Sequence, residues 1–84
     1  MKFYYITFRS VTLAQRGEEL MKRAGIDSSL QRTPKSLSQR GCGYSLRVRD
    51  RDSLSAVTLL RSKGVNFGKL YAIADDGTVE ERQA

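Results

Sequence analysis

From Lys2 to Phe8 the chain alternates, with Tyr4, Ile6 and Phe8 on one side and Phe3, Tyr5 and Thr7 on the other. Aromatic and β-branched residues in a period of two predict a strand. After it, Leu13, Gly17, Leu20, Met21 and Ala24 fall on one helical stripe. Ser10 or Thr12 would open that helix, Thr12 with Gln15 having capping-box spacing, and Gly25 would close it. A short second strand is expected over residues 28–33, ended by Pro34, which cannot donate to a ladder. Tyr44, Leu46 and Val48 then alternate against Ser45, Arg47 and Arg49, predicting a third strand with one apolar and one basic face. Asp52 or Ser53 would cap a second helix carrying Leu54, Val57, Leu60 and Arg61, stopped at Gly64. A last strand is expected over residues 69–74, followed by an Asp75-Asp76-Gly77 turn signal.

The order is therefore βαββαβ. Two right-handed crossovers of this kind most economically give an α+β, ferredoxin-like fold, a four-stranded antiparallel sheet with both helices on one face. The 84 residues suit one domain, taken as residues 1–79, with 80–84 as a short, frayed charged tail. A chain of this length has no room for a deep cleft between two cores. Efficient burial, or sharing of surface with a second copy, is needed to stabilise it.

Charge and cysteine usage narrow the chemistry. The formal net charge of +6 favours anionic partners without choosing among nucleic acid, acidic proteins and small anions. A single cysteine and no histidine leave no internal disulfide and no Cys/His zinc set, which points to a reducing, cytoplasmic setting. The opening MKFYYITFRSV segment is too short and polar for a signal-peptide core, and no run has the ~20 apolar residues of a membrane span.

The candidate for chemistry is Cys42, in Gln39-Arg40-Gly41-Cys42-Gly43. Flanking glycines permit left-handed backbone and keep bulky side chains from the sulfur. A thiolate is favoured beside positive charge; Arg40 is adjacent as a thiolate stabiliser, and Arg32, Lys35 and Arg47 are near in the chain as binding residues. The opposing reading is a small buried cysteine packed like alanine. Without histidine there is no Cys/His pair, and without a second cysteine no resolving thiol. Thiol chemistry would then be a relay between partners, or would need a second chain to complete the site.

Several segments resemble one family of short bacterial chains, the selenium/sulfur carrier protein-like family. They are Tyr5-Ile6-Thr7-Phe8, Lys22-Arg23-Ala24-Gly25-Ile26, Thr33-Pro34-Lys35-Ser36-Leu37-Ser38, Cys42-Gly43, Leu46-Arg47-Val48 and Leu70-Tyr71-Ala72-Ile73. The Thr-Pro-Lys-x-Leu-Ser run followed by Cys-Gly is the specific part. In this chain the cysteine stands one residue later after the proline than in the family's pattern. The resemblance implies a carrier rather than a free-standing enzyme, with Cys42 holding a persulfide or selenopersulfide and Gly43 shaping its loop. It implies donor and acceptor proteins as partners, and no metal or cofactor.

A rival class is RNA binding, since an open sheet face bearing aromatics is a known base-stacking platform. Phe3 and Tyr5 would serve, but the third strand offers Ser45, Arg47 and Arg49 where paired aromatics are needed. The same two aromatics would equally suit a sheet-to-sheet homodimer contact.

Overall fold

A computed structural model describes residues 3–33 and 43–82. The elements are β1 (Phe3–Phe8), α1 (Val11–Arg23), β2 (Ser28–Arg32), β3 (Tyr44–Arg49), α2 (Ser53–Ser62), β4 (Leu70–Ile73) and β5 (Val79–Arg82), with a 3₁₀ turn at Asp50–Asp52 leading into α2. All strand pairs are antiparallel and the sheet runs β2-β3-β1-β4-β5.

The expected four-stranded sheet is thus corrected to five strands. Glu80, Glu81 and Arg82, assigned from sequence to a frayed tail, lie in β5, where Leu70 pairs with Arg82 and Tyr71 with Glu81. The turn signal accounts for this. Gly77 takes a left-handed φ of 87°, Thr78 N–H donates to Asp76 Oδ1 at 2.9 Å, and Ala74 N–H donates to the Thr78 carbonyl at 3.0 Å. Those bonds reverse the chain into a hairpin, so backbone pairing rather than apolar alternation recruits β5.

One face of the sheet carries the core. Ile6 and Phe8 of β1, Leu46 and Val48 of β3 and Leu70 of β4 are buried with Ala14 and Met21 of α1 and Ala56, Val57 and Leu60 of α2. Both helices therefore lie on this face. Gly17 marks the closest approach: a Cβ there would stand 3.1 Å from Leu46 Cδ1, 3.1 Å from Phe8 Cζ and 3.3 Å from Leu60 Cδ2. The missing side chain lets α1 sit down on the sheet and against α2 together.

The helix ends follow local chemistry. Of the two candidate caps for α1, Ser10 is the one used, its Oγ accepting from Leu13 N–H at 3.2 Å, while Thr12 lies inside the helix. The helix stops at Gly25, whose φ is 74°, and Ile26 N–H then bonds back to the Met21 carbonyl at 2.9 Å. At α2 neither expected side-chain cap forms; Ser53 Oγ instead donates to the Asp50 carbonyl at 2.9 Å, closing the 3₁₀ turn. Of the apolar residues at helical spacing, Val57 and Leu60 are buried together with Ala56, whereas Leu54, in the first turn of α2, is 78% exposed.

Candidate functional site

The strand pair β2–β3 brings the chain to and from the segment that contains Cys42. Arg32 pairs with Tyr44, and Thr33 N–H donates to the Gly43 carbonyl at 3.0 Å, so the ladder continues one pair past β2. The segment 34–42 therefore leaves and re-enters at adjacent strand ends. Cys42, Arg40 and Lys35 lie outside the described residues, as does the Pro34–Ser38 run.

Gly43 is exposed at the start of β3, and a Cβ there would meet no heavy atom within 4 Å.

The register separates two of the expected basic residues. Arg32 aligns with Tyr44 and Phe8 on the helix-covered side, whereas Arg47 aligns with Tyr5 and Ser29 on the opposite side. Arg32 is exposed; Arg47 is half-buried, its guanidinium 4.7 Å from the centre of the Phe3 ring, a cation–π contact. Arg49, on the same side as Arg47, is 3.7 Å from Asp27. Arg32 and Arg47 thus do not form one patch.

Beside the strand ends lies a group of hydroxyls on the side away from the helices. Ser45 is 0% exposed and aligns with Thr7 (1%), and Thr33 (8%) follows Gln31, which also aligns with Ser45. Thr7 is fully engaged: its Oγ1 accepts from Lys69 N–H at 2.8 Å and donates to the Lys69 carbonyl at 3.3 Å. Ser45 Oγ and Thr33 Oγ1 are buried with no hydrogen-bond partner among the described residues. Buried hydroxyls normally find partners, so two orphans flanking Gly43 and the strand end are a notable concentration of unused donors. Neither stood out in the sequence, where Ser and Thr are common in strands and only the register places them together.

A family model described as "Putative Se/S carrier protein-like" matches residues 3–72. The chain belongs to this Se/S carrier protein-like family. The matched span runs from the first residue of β1 into β4 and includes Cys42, Gly43 and both orphan hydroxyls; β5 lies beyond it. No curated protein and no solved structure matches the chain.

Within the Se/S carrier-like chain, the open sheet side carries Tyr5 directly opposite Tyr71, with Phe3 opposite Ile73. Sequence reading singled out Phe3 and Tyr5 but not Tyr71; alternation along residues 70–73, set antiparallel to β1, is the signal that would have found it. Among the described residues there is no group of three or more His, Cys, Asp or Glu placed to hold a metal, and no helix long and apolar enough to cross a membrane.

Proposed function

We propose that this chain carries sulfur or selenium as a persulfide or selenopersulfide on Cys42 and relays it between partner proteins. The observation that carries this reading is the family match over residues 3–72, which spans the chain's one cysteine. Composition supports it. With neither histidine nor a second thiol, a group accepted by Cys42 has no imidazole base and no resolving sulfur within the chain to discharge it, so it persists until a partner takes it.

The loading step balances without an external oxidant. The Cys42 thiolate attacks the terminal sulfur of a donor persulfide, a bond forms between Cys42 Sγ and that sulfur, and the donor's S–S bond breaks. The donor leaves as a thiolate, and the proton stays on the transferred sulfur, which becomes the outer S–H of the Cys42 persulfide. Discharge onto an acceptor thiolate is the same exchange in reverse, and a terminal selenium follows the same path. Arg40, two residues before Cys42 in the chain, raises the thiolate fraction. Lys35, Arg32 and Arg47, the last held over the Phe3 ring on the sheet side away from the helices, favour approach of an acidic donor surface. Gly43 keeps the approach open. The frame is read as a ferredoxin-like β2-β3-β1-β4 unit extended by β5, working in the reducing cytoplasm.

Incubation with a cysteine desulfurase and cysteine, followed by intact-mass measurement, tests this directly. The expected result is a gain of one sulfur per chain that reductant removes and that Cys42→Ser lacks. A wild-type chain whose mass is unchanged would sink the carrier reading.

A further inference from the structure

Two rows of side chains cross the sheet side that the helices leave uncovered. In the first, register places Arg47 of β3, Tyr5 of β1, Tyr71 of β4 and Glu81 of β5 in line. In the second stand Arg49, Phe3, Ile73 and Val79. All but Val79 and Glu81 are half-buried, and those two are exposed. The first row has a symmetry of its own: cation, tyrosine, tyrosine, anion. We propose that this face binds a second copy of the chain, through a two-fold axis that runs parallel to the strands between β1 and β4.

The axis follows from the charges. A two-fold axis parallel to the strands exchanges left and right but keeps position along them, so it lays β1 on the second copy's β4 and β3 on its β5. Arg47 then faces Glu81 of the other copy and Tyr5 faces Tyr71, each contact made twice, while Phe3 meets Ile73. An axis across the strands would instead set the Arg47 and Arg49 column over itself, a like-charge arrangement that costs several kcal/mol. Aligned sheets pack ~10 Å apart with ~30° between strands, a rotation that long arginine and glutamate side chains can follow near the axis.

The present partners of these groups do not oppose the exchange. Glu81 is 3.4 Å from Lys69 in a pair whose side chains are 60% and 55% exposed, and such pairs contribute little. Arg47 rests on Phe3 and shields a ring that the contact would otherwise bury. Two rows across four strands make a small patch, at the low end of specific interfaces, so the dimer is a weak one. This inference is independent of what Cys42 carries.

Sedimentation equilibrium from low micromolar to millimolar protein, in a Cys42→Ser background that removes disulfide-linked dimers, tests it. The expected result is a reversible monomer–dimer equilibrium, weakened about tenfold or more by Arg47→Glu or Glu81→Arg alone and restored when both are combined. Circular dichroism melts of each variant establish that it is folded. A monomer at every concentration, or a dimer indifferent to both single substitutions, would overturn the proposal. So would a monomer that binds single-stranded RNA and loses it on Tyr5→Ala and Tyr71→Ala, which would assign the face to base stacking.

Discussion

Replacing Gly17 by alanine sets two effects of known sign against each other. In a helix interior the change ordinarily stabilises by about 1 kcal/mol, because glycine has the larger backbone entropy to lose. Here the new methyl would stand 3.1 Å from both Leu46 Cδ1 and Phe8 Cζ and 3.3 Å from Leu60 Cδ2. All three neighbours are fully buried, two on central strands and one on the other helix, so none can withdraw into solvent. Overpacking of this kind costs about 1–3 kcal/mol. The net expectation is a destabilisation of about 1 kcal/mol, seen as a fall in midpoint of roughly 4–8 °C for a domain this size. Urea unfolding followed by circular dichroism measures it. Leu46→Val removes the nearest methyl, so Gly17→Ala should cost about 0.5 kcal/mol less or better in that background. A Gly17→Ala protein about 1 kcal/mol more stable than wild type would refute the packing of α1 against both layers.

Three further expectations concern the open side and the hairpin. Thr7→Val strips the acceptor from Lys69 N–H at the junction of β1 and β4 and should cost about 1–3 kcal/mol by the same urea assay; no loss would mean that the 2.8 Å bond contributes nothing. Ser45→Ala removes a buried hydroxyl that has no partner, so stability should be unchanged or higher by up to about 1 kcal/mol, and a large loss would show a bond that the structure lacks. The Thr78 side chain, and then its backbone N–H, hydrogen-bond Asp76 and hold its carboxyl below the ordinary value of 3.8. A depressed folded value means a contribution fully present above pH 3.8 and lost as pH falls below it, so the Asp76 carboxyl followed by NMR should titrate below 3.8; a midpoint at or above that value contradicts the turn.

What the sequence made legible was whatever rests on side-chain periodicity. β3 falls on Tyr44–Arg49 as expected because Leu46 and Val48 must be buried while Arg47 and Arg49 keep contact with water. β5 escaped because Val79-Glu80-Glu81-Arg82 is exposed throughout and owes its place to the Asp76–Gly77 turn and to ladder bonds, which leave no apolar pattern. The separation of Arg32 from Arg47 was hidden for a related reason. Which face Arg32 shares with Arg47 depends on the β2–β3 register, and a one-residue slip reverses it; nothing in the intervening segment announces that register. Ser45 and Thr33 became notable only once burial showed their hydroxyls unpaired. Cys42 itself was conspicuous from the start, through its solitude between glycines.

The central claim rests on that sulfur, and one measurement reaches it most directly. After loading with a desulfurase and cysteine, the chain is alkylated without reduction, digested with trypsin, and the peptide spanning residues 41–47 is weighed. The account predicts an alkylated persulfide on Cys42, converted to the plain alkylated thiol when reductant precedes the alkylating agent. A Cys42 peptide that carries only the plain alkylated thiol under loading conditions would contradict it.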